Sequence, residues 1–270
     1  MKLSISHIAW PWAEEAQFLD RIRRFGCSGV EVAPSRIWEE PVSSSKQDRQ
    51  KYKDMVSRSG LEISAMHALL YHRPDLGLFR ETSVTLRTVD YLKQLIELAA
   101  DLGAEVLVFG SPGNRKRGEI PFKEACEQAA EFFFPVGEAA KDLGVFFCVE
   151  PLRVEETDFI TTAEQGLQLV NMVGSKGFAL HLDAKAVAAQ RTDGFANFKD
   201  NLDVLKHFHI NDPGLVEVNS TGQVDHQDLG HSLRQIMYNR YVSIEMRLMP
   251  DYENAVSRSI EEALKAYVRF

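Results

Sequence analysis

Cysteine is scarce in this chain. Of 270 residues only Cys27, Cys126 and Cys148 carry a thiol, an odd number with no metal-motif spacing. A disulfide framework is therefore excluded, and buried reduced thiols are the expectation. Long apolar runs are missing too. A membrane helix needs about 20 such residues, whereas the longest runs, "EVLVFG" and "GVFFCVE", have strand length. The opening "MKLSISHIAWPWAEE" lacks the charged start and apolar core of a secretory leader, so a cytoplasmic location is expected. Positive charge is in deficit, with 31 Lys and Arg against 39 Asp and Glu and a net charge of −8. Phosphate backbones are bound by basic faces, so this balance argues against a nucleic-acid partner and for a small-molecule one. A glycine-rich nucleotide cradle is absent as well. "FGSPGNRKRGE" lacks the terminal GK[ST], and its Arg115, Lys116 and Arg117 read as solvated loop residues, with a phosphate clamp as the alternative.

What is present is a repeated unit. Strand-like runs fall at 3–9, 29–33, 61–68, 104–110, 145–151, 178–184, 205–212 and 241–247. Between them lie segments of helical period. "AEEAQFLDRIRRFGCSG" spaces Phe18, Leu19, Ile22 and Phe25 for one face and stops at Gly26. "TTAEQGLQLVNMVG" opens on a threonine cap, and Pro135 predicts a kink or two shorter helices in "PFKEACEQAAEFFFPVGEAAKDLGV". The last helix, "YENAVSRSIEEALKAYVRF", closes the chain. Strict alternation implies parallel strands with right-handed crossovers, and eight units predict a (β/α)8 TIM barrel. No composition break or linker divides it, so residues 1–270 are expected to form a single domain.

Barrels of this kind place their chemistry at the C-terminal ends of the strands. Here four consecutive strands end on polar groups: Glu150, Asp183, His209 and Glu245. Period-two alternation puts Cys148, His181, His207 and Ser243 on the same faces, while Val149, Leu180, Leu182, Phe208, Ile210, Val242 and Ile244 face the other way. Any one of the four ends is explained by contact with solvent. Together they crowd three carboxylates and an imidazole at one mouth, a conflict that a divalent cation relieves. Three oxygen donors and one nitrogen favour Mn²⁺, with Co²⁺, Mg²⁺ or Zn²⁺ as alternatives.

The segments "CVEPLRVEETDF", "ALHLDAKAV", "HFHINDPG" and "VDHQDLGHSLRQIMYNRYVSIEMR" resemble, in order and spacing, the xylose-isomerase-like TIM barrels of the sugar phosphate isomerase/epimerase branch. The resemblance implies one divalent-metal site at Glu150, Asp183, His209 and Glu245, with Glu150 and Glu245 as the acid/base pair. It implies substrate contacts at Glu156 and His67, a carbohydrate substrate, isomerisation or epimerisation through a metal-stabilised enediolate, and a homo-oligomer. A lyase of the dehydroshikimate or inosose dehydratase type is the alternative on the same scaffold. A repair endonuclease is disfavoured by the acidic balance. Two positions depart from the ketose epimerases: Ala186 and Leu215 stand where that branch carries a histidine and an arginine. Lys185, Arg153 and Arg247 are the cationic groups available to contact a substrate carboxylate or phosphate instead.

Smaller features complete the expectations. Trp10, with Trp12, either walls the sugar face or packs the rim. His7 faces the mouth or sits satisfied in the core. His181 and His207 are read as supporting residues, and Asp225 and His226 as caps of the helix that follows them.

Overall fold

The computed structural model describes residues 1–190, 199 and 203–268. Eight parallel strands close into a barrel in sequential order. They are β1 (Lys2–Ser6), β2 (Gly29–Val32), β3 (Glu62–Met66), β4 (Val106–Phe109), β5 (Phe146–Val149), β6 (Phe178–Asp183), β7 (Leu205–Ile210) and β8 (Tyr241–Ile244). The closing pair sets Leu3 opposite Val242 and Ser4 opposite Ser243. Between β6 and β7 the register places Asp183 beside His209, and between β7 and β8 it places His209 beside Ser243. Two of the predicted strand-end groups are thus neighbours by backbone pairing alone. No helix among the described residues is long and apolar enough to cross a membrane.

The alternation of faces organises the packing. Val30, Val32, Leu180, Leu182, Phe208, Ile210, Val242 and Ile244 point outward into the core between barrel and helices. Phe18, Leu19 and Ile22 of the helix Glu15–Phe25 meet them with no exposed surface, each burial contributing about 1.5–3 kcal/mol. Gly26 ends that helix at φ 111°, a left-handed conformation that costs a side-chain-bearing residue. Ala65, Val106, Val108, Cys148 and Ala179 form a separate small cluster, on the face that Cys148 shares with Glu150. Thr162 caps the helix Ala163–Val173 by accepting from the Gln165 N–H.

Two expectations change. Pro135 does not divide its segment: one helix runs from Phe122 to Asp142 with the proline inside. The missing N–H removes one bond of the helix ladder, at a turn where Glu131 and Phe134 are exposed. The last helix, Tyr252–Ala263, passes into a wider turn over Leu264–Val268; its predicted end at 269–270 lies outside the described residues. All three cysteines are buried and unpaired.

Candidate active site

Glu150 follows the last residue of β5, Asp183 ends β6, His209 lies one residue before the end of β7, and Glu245 follows β8. Single ligand atoms of Glu150, Asp183 and His209 lie within 4.8 Å of one another. Glu245 Oε2 is 3.5 Å from His209 Nδ1 and Oε1 is 3.3 Å from His67 Nδ1. All four predicted strand-end groups therefore converge at one mouth.

Asp183 is held most firmly. Its Oδ1 accepts from the Ala186 N–H at 3.0 Å, capping the short helix Ala184–Ala189. Its Oδ2 accepts from Asn211 Nδ2 at 2.6 Å and from Lys185 Nζ at 3.0 Å. Asn211 also donates to Glu245 Oε2 at 3.2 Å, joining β6 to β8 across β7. Burial works against the Lys185 charge, but Asp183, Glu245, Glu150 and Glu156 overcome it and hold the ammonium charged. Glu150 is raised by burial and by the Asp183 charge. Glu245 is buried as well, yet His209 and a bond from His67 hold it well below the usual carboxylate range. Gly110, just past β4, lies against Glu150: a Cβ built there would collide with Glu150 Oε2. The glycine is the cradle in which that carboxylate rests.

His209 faces two ways. Its Nε2 is 3.0 and 3.1 Å from the two oxygens of Glu31, a fully buried carboxylate that also accepts from Ser243 Oγ at 2.6 Å. Its Nδ1, buried, has no hydrogen-bond partner. Burial opposes a charge on His209, but Glu31 and Glu245 push its pKa up to about 10. Glu31 escaped the sequence reading, which passed over "GVEVA" as an ordinary strand. The signal was legible: a lone carboxylate between Val30 and Val32 must point into the barrel when both valines point out.

This donor set fits a divalent cation. A carboxylate on Nε2 fixes the proton there and leaves the Nδ1 lone pair directed at Glu245, the usual orientation of a metal-ligating histidine. Glu150, Asp183 and Glu245 supply oxygens, and their mutual repulsion needs a positive charge. The two other possible sets also use His209, with His181 and His207 or with Glu31 and His67. The Glu31 set would use a His209 nitrogen that is already bonded, and three imidazoles alone would leave the charges of Glu150, Asp183 and Glu245 uncompensated. His181 and His207 touch through their Nδ1 atoms at 3.2 Å. Burial lowers both, His207 to about 4, which keeps them neutral beneath the mouth.

The mouth opens into a cavity of about 740 Å³. His67, Glu150, Glu156, Lys185, His209, Glu245 and Arg247 all line it. Glu156 Oε2 accepts from the Arg153 N–H at 3.1 Å, and Arg153 pairs with Glu155 at 3.2 Å. His67 Nε2 is 2.7 Å from Ser6 Oγ. Leu215 lines the cavity in a left-handed conformation, φ 53°.

Several placements differ from expectation. Trp10 walls nothing: it is fully buried, donates from Nε1 to Glu15 Oε2 at 2.8 Å and stacks on Phe18 at 5.1 Å. The helix that follows β1 turns its indole away from the mouth into the helix layer. His7 sits in the same layer, 3.1 Å from Glu15 and accepting from the Ala33 N–H at 2.8 Å. Arg115, expected in solvent, is 1% exposed and donates to the Glu150 carbonyl at 2.6 Å. Asp225 does cap its helix, accepting from the Asp228 N–H at 2.9 Å. His226 instead bridges Asp212 and Tyr267 at 2.7 Å each.

Known proteins resemble this chain in sequence and fold. The family described as "Xylose isomerase-like TIM barrel" matches residues 19–267. An L-ribulose 3-epimerase of Mesorhizobium japonicum is 26% identical over 168 residues, 61% of this chain and 56% of that protein. The chain thus spans just over half of that relative. A D-psicose 3-epimerase of Ruminiclostridium cellulolyticum is 24% identical over 91% of this chain and 83% of its own. Among solved structures, a 3-keto-D-glucoside 4-epimerase from E. coli superposes with a TM-score of 0.83 at 17% identity, covering 98% of this chain and 99% of that one.

Proposed function

The chain belongs to the xylose isomerase-like TIM barrel family, and from that premise we propose that it is a divalent-metal-dependent isomerase or epimerase of a small keto sugar or a derivative of one. The observation that carries this reading is the buried Glu150, Asp183 and His209 cluster with Glu245 against it, beside a cavity with room for a sugar. Relatives named as ketose 3-epimerases support it.

When bound, a divalent cation supplies Lewis-acid stabilisation of charge that develops on substrate oxygens. Glu150, Asp183, His209 and Glu245 would hold it, Mn²⁺ being the first choice for a donor set of three oxygens and one nitrogen. Glu150 and Glu245 rise from β5 and β8, three strands apart around the mouth. One carboxylate takes the proton from carbon beside a carbonyl, and the other returns a proton to the neighbouring carbon or to the opposite face. The first outcome isomerises and the second epimerises. His67, bonded to Ser6 and 3.3 Å from Glu245, fixes that carboxylate and faces substrate. Glu156 and Arg247 border the substrate space from the β5 and β8 loops, and Lys185 steadies Asp183.

The test is incubation of Mn²⁺-loaded protein with a panel of ketoses, inososes and dehydroshikimate in deuterated water. Deuterium incorporated at carbon in a product of unchanged composition is expected. Loss of water, seen by mass, would replace this reading with the lyase. Glu245→Gln should abolish turnover while only partly weakening metal binding; near-normal turnover would remove the two-carboxylate mechanism.

A further inference from the structure

The cavity is larger than a free ketohexose needs. Such a sugar has twelve non-hydrogen atoms, and allowing each the ~30 Å³ of a liquid water gives at most about 360 Å³. Roughly half of the 740 Å³ is left over. Residues of the segments that follow β2, β3, β4 and β8 line the cavity on the sides of the mouth away from Glu150.

Among largely apolar side chains, the lining includes a set of polar ones that share one chemistry. Arg36, Arg80 and Arg247 border the cavity, and none pairs with a carboxylate among the described residues. Arg36 donates from Nη2 to the Trp10 carbonyl at 2.8 Å, which leaves its buried Nε without a partner. Arg247 donates from Nε to the Gly214 carbonyl at 3.2 Å, and its two terminal nitrogens remain. Beside them Ser35 and Ser111 line the same cavity, and their hydroxyls are buried without a hydrogen-bond partner. The contrast is Arg73, which also borders the cavity but is bound through two nitrogens to Asp75 and lies over Tyr91. In a chain of net charge −8, three guanidiniums with no carboxylate partner among the described residues and two serines with unpaired hydroxyls around one space form a complementary set for oxyanion oxygens.

Building on the isomerase reading, we propose that the substrate carries an anionic substituent, a phosphate or a carboxylate, at the end remote from the reacting carbons. Ser35 and Arg36 receive it from the β2 loop, and Arg80 and Arg247 approach from the β3 and β8 loops. The Lys185 ammonium takes no part, because Asp183 holds it. The arrangement gives the barrel mouth two poles: carboxylates that need a cation, and arginines that need an anion.

The experiment has a binding arm and a turnover arm. Binding of inorganic phosphate and of malonate is measured by calorimetry on metal-loaded and on chelator-treated protein. Turnover of a neutral ketose is compared with that of its phosphorylated and its carboxylated counterparts. Expected is anion binding that survives chelation, weakens at least tenfold in Arg36→Gln and Arg80→Gln, and persists in part in Arg80→Lys. The ratio of kcat/KM for the anionic over the neutral sugar should fall at least tenfold in the Gln variants. Whichever of the phosphorylated and carboxylated substrates is preferred identifies the substituent. Neutral ketoses used as well as both anionic ones, or anion binding unchanged in folded Gln variants, would overturn the proposal. Anion binding without turnover of any sugar would leave it standing and remove the isomerase reading instead.

Discussion

Replacing Glu31 by glutamine tests the logic of the site at its least obvious point. The carboxylate is fully buried, and burial alone would raise its pKa. The charge on His209 and its bond to the carboxylate overcome that and hold it well below the usual range, so it is ionised at neutral pH. As an anion bonded to His209 Nε2 at 3.0 Å it fixes the imidazole proton on that nitrogen. A glutamine amide in the same place can turn its NH₂ toward Nε2, which moves the proton to Nδ1 and blocks the lone pair the cation needs. Loss of an orienting carboxylate of this kind costs 10–100-fold in metal affinity, about 1.4–2.8 kcal/mol. Titration of chelator-treated protein with Mn²⁺ against an indicator gives the affinity, with circular dichroism as the check on folding. Equal affinity in folded wild type and Glu31→Gln would refute the assignment of Nδ1 as the metal-facing nitrogen.

Four other outcomes follow from the same geometry. With no metal bound, the His209 pKa lies near 10 and Glu150 is raised as well, so at neutral pH a cation must displace protons; apparent Mn²⁺ affinity should climb at least tenfold per pH unit from 6 to 9. The sign follows because the ligating form is the deprotonated one, and a flat profile would contradict it. Proton linkage to stability runs the other way in metal-free protein. The raised His209 pKa contributes stability that is complete below about pH 6.5 and is lost as pH rises toward 10, which urea melts at three pH values would show. Gly110→Ala should leave the fold intact but lower kcat at least tenfold, because the added methyl displaces the Glu150 carboxylate; unchanged kcat would mean that this oxygen is not where the reaction needs it. Trp10→Ala should cost about 3–5 kcal/mol in urea unfolding without changing which sugars are used, since the indole packs on Phe18 away from the cavity.

The barrel was legible because its signals are redundant. Val30 and Val32, Leu180 and Leu182, Phe208 and Ile210 each repeat the same outward alternation, and eight repetitions outweigh any misplaced boundary. Glu150, Asp183, His209 and Glu245 were legible for a related reason: strand ends are defined positions, and parallel pairing makes consecutive ends neighbours. Trp10 and Arg115 were not. Each lies in a connecting segment whose direction depends on a partner in another element, Phe18 and Glu15 of the first helix for one and the Glu150 carbonyl for the other. Glu31 lay between these cases, since its inward direction was readable but its partner, 178 residues away, was not.

That partnership has a consequence for assembly. The residues that would grip the ion come from β5 to β8, while Glu31 and His67, which orient His209 and Glu245, come from β2 and β3. The second half of the chain by itself has the ligands without their alignment, and the first has alignment with nothing to align. High affinity for the ion would therefore arise only when β1 docks on β8 and β4 on β5. A refolding chain watched through Mn²⁺ uptake would report the moment the ring shuts, later than the appearance of helix.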